Sequence, residues 1–198
     1  MFRQFVIVSS VVVFAASNLS AGKFNKVLNV GDAAPEWKDL EGTDGKKHSL
    51  ADLKEKDVVV VVFTCNSCPV AQGYEERIAA FAKQHAEKVA VVAINVNTIK
   101  EDSMPEMVKR AEKKKYAYPY LYDPSQEIAK KFGAMYTPEF FVLNKDRKVA
   151  YMGALDDKSP PADATTAYLE AAAKAALAGK SVEETETNAR GCKIRFAR

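Results

Sequence analysis

The sequence predicts an α/β fold: a central mixed sheet flanked by helices, with a hairpin extension on its N-terminal side. Three observations carry this. Val58-Val59-Val60-Val61-Val62-Phe63 is apolar at every position and rich in β-branched residues, the pattern of a strand covered on both faces. A second such run, Val89 to Val96, follows a stretch with helical spacing, so strands and helices alternate and the sheet is mainly parallel. Asn144-Lys145-Asp146-Arg147 separates two further apolar runs closely enough to make them an antiparallel pair.

The elements follow in order. Val30-Gly31-Asp32-Ala33-Ala34-Pro35 is an extended lead-in, and Trp37 is expected to pack beneath the hairpin that follows. Leu40 to Leu50, with Gly42 and Asp44-Gly45, forms that hairpin, and Ser49 and Asp52 suit a helical turn ending near Lys54. After the strand 58–63, Pro69 suits the first turn of a helix, where its missing N–H is not needed. Ile78, Phe81, Ala82 and His85 repeat at helical spacing and carry this helix to Gln84 or His85. Asp102 or Ser103 caps the next helix, which has Pro105 in its first turn and continues to about Lys115. Tyr118 to Tyr122 is extended, and Tyr116, Tyr118, Tyr120 and Tyr122 read as packing residues of a half-buried strand. Ser125 opens a helix that Gly133 closes. Phe140 to Leu143 and Lys148 to Met152 are the hairpin strands, and Asp163 to Ala178 is an Ala-rich helix ended by Gly179.

The N-terminus reads as a secretory signal over residues 1–21: Arg3, an apolar core from Phe5 to Ala16, then small residues with a cut after Ala21. The alternative is a retained anchor, although the apolar core is shorter than the ~20 residues that span a bilayer. Removal leaves one domain at 22–179 and a polar tail at 180–198, with no further run able to cross a membrane. The expected location is periplasmic or secreted. Basic and acidic residues nearly balance at 29 and 26, and Lys113-Lys114-Lys115 reads as a solvated helix face, so no nucleic-acid partner is expected.

The chemistry concentrates in Cys65-Asn66-Ser67-Cys68-Pro69, directly after the buried strand. Two thiols three positions apart at the start of a helix lie within disulfide reach, and the free N–H groups and dipole there favour a thiolate. Cys65 is expected at the head of the helix as the nucleophile, with Cys68 deeper as the resolving thiol. No cofactor or metal is expected: two thiolates do not complete a zinc shell, and no second Cys-x-x-Cys exists. Cys192, in Gly191-Cys192-Lys193-Ile194, makes the cysteine count odd. It reads as a structural tail contact, held by docking of Ile194 and Phe196, with a third redox thiol as the alternative.

A strand, Cys-x-x-Cys, a helix and then Thr137-Pro138 before the hairpin strand resemble the thioredoxin fold. Val30 to Pro35, Pro119-Tyr120-Leu121-Tyr122-Asp123 and Gly191-Cys192-Lys193-Ile194 resemble its redoxin branch, which includes alkyl hydroperoxide reductase and thiol-specific antioxidant proteins. The resemblance implies a cis Pro138 beside the cysteines and a Thr137 that binds substrate backbone. It implies an exported thiol–disulfide oxidoreductase acting on protein dithiols and disulfides, served by a redox partner protein. Two alternatives remain. One is a thiol-dependent hydroperoxide reductase, although the Pro-x-x-x-Thr-x-x-Cys loop of those relatives is incomplete here: its Pro is missing and Thr64 stands one place too far from Cys68. The other is a thioredoxin-fold copper carrier, which would need His48 or His85 near the cysteines. The buried acid that many thioredoxins place six residues before the first cysteine is Val59 here, which makes Glu139 the candidate for proton handling.

Overall fold

The computed structural model describes residues 22–158 and 164–197. Strand β3 (Val58–Phe63) is at its centre, and no residue in it has any exposed surface. Its alternating side chains feed two cores, as pleating requires. Val59, Val61 and Phe63 face one side, with Ile94, Phe132, Phe141 and Leu143. Val58, Val60 and Val62 face the other, with Tyr74, Ile78, Phe81, Leu169 and Ala172.

β3 pairs in parallel with β4 (Val89–Asn95), from Val58 opposite Val89 to Phe63 opposite Ile94. On its other edge it pairs antiparallel with β7 (Glu139–Leu143). β1 (Leu40–Gly42), β2 (Lys47–His48), β5 (Tyr120–Tyr122) and β8 (Val149–Gly153) complete a seven-stranded mixed sheet in the order β2-β1-β5-β4-β3-β7-β8. Helices α1 (Pro69–Gln84), α2 (Met104–Lys114) and α4 (Tyr168–Leu177) supply Tyr74, Met107 and Leu169 to one face. Helix α3 (Glu127–Phe132) supplies Ile128 and Phe132 to the other, where Trp37 is also buried.

The thioredoxin-like, mixed α/β class expected from the sequence is the one observed. Several boundaries differ. Residues 164–167 are not helical and α4 starts at Tyr168; the expected start at Asp163 lies outside the described residues, as does the expected signal segment 1–21. Asp102 does not cap α2. The N-cap position is Ser103, while Asp102 closes a 3-10 turn and points into the protein with no exposed surface. The tail does not run free. Thr187 N–H donates to Met152 O at 3.0 Å, and further on the chain forms β9 (Cys192–Lys193), which pairs antiparallel with the short strand β6 (Tyr136–Thr137). Ile194 is buried and Phe196 packs against the core, as their expected docking requires, while the polar composition concealed the strand pairing. Among the described residues, no helix is long and apolar enough to cross a membrane.

Phe63, Phe132 and Phe141 meet edge to face, with centroid separations of 5.1 to 5.7 Å. Truncating Phe141 would leave a cavity that the fully paired strand behind it cannot close. Phe141→Ala should therefore cost about 3–5 kcal/mol of stability, read as a lower urea midpoint at unchanged slope; a loss below about 1 kcal/mol would show that the cluster repacks freely.

Candidate active site

The site forms where β3 runs out of sheet. Thr64 N–H still bonds to Ile94 O at 3.0 Å, and the chain then crosses a loop, Cys65 to Ser67, before α1. Cys68, not Cys65, is the helix N-cap, with φ −84° and ψ 114°, and its sulfur accepts from Ala71 N–H at 3.4 Å. The expectation that Cys65 occupies the first turn is corrected by Pro69. A proline at the first helical position disfavours the helical conformation in the residue before it, so the helix cannot start three residues earlier.

A buried carboxylate organises this loop. Asp102 accepts Ser67 N–H at 2.8 Å, Ser67 Oγ–H at 2.7 Å and Asn97 Nδ2–H at 3.0 Å. Asn66 is gripped as well: its Nδ2 donates to Glu101 O at 3.0 Å, and its Oδ1 accepts Tyr120 Oη–H at 3.1 Å. Tyr120 thus packs, as alternation requires, and also anchors the loop. The sequence offers no sign that Asp102, Tyr120 or Asn97 serves this loop. Asp102 lies 35 positions from Ser67 and carries a plausible capping context of its own.

Across from the loop, the Thr137–Pro138 peptide bond is cis. Thr137 Oγ1 lies 3.4 Å from Cys65 Sγ, and the Thr137 carbonyl oxygen lies 3.0 Å from Cys68 Sγ. The structure therefore brings Cys65, Cys68, Thr137 and Pro138 together. It also brings in Cys192, whose sulfur stands 2.7 Å from that of Cys68. All three cysteines are free thiols, with Cys65 and Cys68 buried and Cys192 half-buried.

The thiols differ sharply in acidity. Cys68 is lowered from the ordinary thiol range: the Cys65 thiol donates to it, the Cys192 thiol and the Ala71 N–H act in the same sense, and together they outweigh burial. Cys65 is raised, first by its hydrogen bond to Cys68, then by burial, with the Asp102 charge adding to the rise. Cys192 is pushed up to about 11 by burial and by its contact with Cys68. The donors of the site thus converge on the Cys68 sulfur, while the Thr137 carbonyl oxygen at 3.0 Å accepts from its protonated form.

The histidines are elsewhere. His48 bonds to Asp44 at 3.0 Å on β2, four strands from β3, and His85 caps the far end of α1 beside Glu170. Among the described residues, no group of three His, Cys, Asp or Glu side chains is arranged to hold a metal ion. Glu139 does not touch the thiols in any contact of the structure. Its Oε2 accepts Met135 N–H at 2.8 Å and Tyr136 N–H at 2.9 Å, which fixes the turn leading into the cis proline.

Fold and site define a thiol oxidoreductase built on the thioredoxin fold. The chain belongs to the redoxin family, whose model matches residues 29–168. It is similar to a hypothetical protein from Sinorhizobium meliloti, 32% identical with a TM-score of 0.81 over 87% of this chain and 97% of that one. An uncharacterized conserved protein from Geobacillus kaustophilus is 34% identical, also with a TM-score of 0.81, over 87% of this chain and 95% of its own. The peroxidoxin BcpB from Mycobacterium tuberculosis is 25% identical with a TM-score of 0.56, over 75% of this chain and 94% of its own. Comparison with curated proteins finds no match.

Burial pushes the Glu139 carboxyl up to about 7, against the two backbone N–H groups that favour its charge. A carboxyl raised in this way contributes stability that is fully present below its unfolded value and is lost as pH rises through 7. At about 1.4 kcal/mol per pH unit, the loss between pH ~4.5 and ~7 amounts to roughly 3 kcal/mol. Glu139→Gln keeps an acceptor for the turn and removes the charge. Chemical denaturation across this pH range should show a flatter profile for the variant and a more stable protein at pH ~8. Superimposable profiles would mean that Glu139 ionises as it does in water.

Proposed function

We propose that this chain is an exported thiol–disulfide oxidoreductase acting on protein dithiols and disulfides through Cys68 and Cys65. The observation that carries the reading is a single sulfur, Cys68 Sγ. It sits at the N-terminus of α1, favoured as a thiolate, with a second thiol on one side and the residue before a cis proline on the other. In the reductive direction, the Cys68 thiolate attacks one sulfur of a substrate disulfide. The substrate S–S bond breaks, and the departing thiolate takes up a proton. Cys65 then loses its proton and attacks Cys68 Sγ in the mixed disulfide, which forms the Cys65–Cys68 bond and releases the second substrate thiol. Two electrons have passed to the substrate, and a redox partner protein returns them to the pair. The oxidative direction runs the same steps in reverse. Thr137 positions the substrate backbone beside Pro138. Export rests on Arg3 and the apolar run from Phe5 to Ala16.

A second reading, a thiol-dependent hydroperoxide reductase, is favoured by Cys68 being the acidic thiol and by the likeness to a peroxidoxin. There the Cys68 thiolate would attack a peroxide oxygen and become a sulfenic acid, which a second thiol would condense with, releasing water. The incomplete loop around Thr64 weighs against fast turnover by this route.

Insulin reduction with dithiothreitol as electron source tests the first reading. Wild type should accelerate it, Cys68→Ser should fall to the uncatalysed background, and Cys65→Ser carrying Cys192→Ser, which lacks both neighbouring thiols, should accumulate a mixed disulfide between Cys68 and insulin. The acid-range ultraviolet thiolate signal should disappear in Cys68→Ser. Rapid hydrogen peroxide consumption without insulin reduction would replace the first reading with the second.

A further inference from the structure

The C-terminal strand carries the third sulfur onto the same centre. In β9, Cys192 lies opposite Thr137 and Lys193 opposite Tyr136, and Ile194 N–H donates to Met135 O at 2.9 Å. Past the strand, Arg195 N–H donates to Asn97 Oδ1 at 3.0 Å and Ala197 N–H to Gln126 Oε1 at 2.7 Å, while Ile194 is buried in the core. Asn97 also bonds to Asp102, so the residue that steadies the Cys65–Cys68 loop steadies the tail as well. Gly191 permits the approach: a Cβ there would stand 2.0 Å from Thr137 O and 2.5 Å from Thr137 C, closer than any side chain can sit. The tail therefore lies along the backbone edge beside the cis proline, and its Cys192 Sγ ends 2.7 Å from Cys68 Sγ, in direct contact with it.

We propose that Cys192 is a third redox residue that exchanges with the Cys65–Cys68 disulfide at Cys68, and that β9 occupies the edge on which a protein substrate's backbone would bind. This rests on the thiol–disulfide reading above. The step balances internally: the Cys192 thiolate attacks Cys68 Sγ, the Cys68–Cys192 bond forms, the Cys65–Cys68 bond breaks, and Cys65 leaves with the electron pair and takes up the proton that Cys192 gave up. No external oxidant enters, because the disulfide that moves was acquired from a substrate protein. The order of events follows from charge. In the reduced site the Cys68 charge helps to hold Cys192 protonated, whereas the Val70 N–H at the start of α1 favours the Cys192 thiolate. Once Cys68 is in a disulfide that part of the restraint is gone, burial still opposes ionisation of Cys192, and Cys192 has at 2.7 Å a disulfide sulfur that it can attack. Two states result. With the bond in the loop, the tail is held without a covalent link, by its pairing, the Asn97 and Gln126 bonds and the burial of Ile194, and can yield to a substrate. With the bond to Cys192, the tail is fastened over the cis-proline edge.

Disulfide mapping by mass spectrometry tests this. Wild type treated with one equivalent of a small aromatic disulfide, and quenched with acid and alkylating agent at increasing times, should show Cys65–Cys68 first and Cys68–Cys192 growing at its expense. Cys65→Ser should form Cys68–Cys192 as its main product. In Cys65→Ser carrying Gly191→Ala, which touches no thiol but forces the tail off Thr137, that product should fall by about tenfold as the effective concentration of Cys192 drops. The proposal is overturned if wild-type Cys65–Cys68 persists alone, or if Cys68 in Cys65→Ser keeps the reagent while Cys192 is alkylated. A Cys68–Cys192 bond that forms at once and resists dithiothreitol would make the contact structural and also overturn it. Insulin reduction by wild type separates the two readings: activity with no Cys68–Cys192 bond removes only this proposal, and the exchange without insulin reduction removes only the substrate assignment.

Discussion

A strand sealed on both faces constrains everything else here. β3 has no exposed residue, is paired along both edges and is covered above and below, so it can present chemistry only at the point where it leaves the sheet. The chain that leaves it has unpaired backbone groups in a dry environment, and each of these must find a partner. Asp102, in the turn after β4, takes the Ser67 N–H together with the Ser67 hydroxyl, and Gln72 donates to Asn66 O. The cysteine loop is therefore held by an element that a local view of the sequence places elsewhere. Its geometry depends on the sheet order as much as on the Cys-x-x-Cys spacing.

The acidity pattern follows from the same arrangement. A sulfur at a helix N-terminus accepts the Ala71 N–H, and the Cys65 and Cys192 thiols lie within hydrogen-bonding reach of it. These donors gain from a negative Cys68, and their own ionisation is suppressed by it. One charge is shared among three buried or half-buried sulfurs, and it settles where the backbone stabilises it. The difference between the two cysteines of the loop is thus not an intrinsic preference for first or second position. It results first from the hydrogen bond between the two sulfurs, to which the Ala71 N–H at the helix start adds.

Much of the fold was legible because its signals are local. β3 is an unbroken apolar run, α1 combines a proline with helical spacing, and Gly133 ends α3 in the left-handed conformation at φ +66°. The pair Thr137-Pro138 was legible through resemblance, since no local pattern states that a proline three strands away will meet a cysteine. What stayed illegible depends on contacts between distant residues. Asp102 reads locally as a cap, Glu139 as a proton carrier and residues 180–198 as a polar tail. In the folded protein the first holds the site loop, the second holds a turn, and the third runs back across the active face. The start of α1 was misplaced for a local reason that could have been weighed: the residue before a proline resists helix formation, which puts Cys68 rather than Cys65 at the boundary.

The placement of Cys68 between two other thiols has a consequence for counting equivalents. Within one molecule, a sulfur that can bond to either neighbour can bond to only one at a time, so closing a single disulfide always leaves one sulfur over. The monomer alternates between three thiols and one, and never reaches none. The leftover sulfur also labels the state: it is Cys192 when the bond lies in the loop and Cys65 when it lies in the tail. One is half-buried and the other buried, so two molecules with the same number of electrons would present different surfaces to a passing thiol or metal ion.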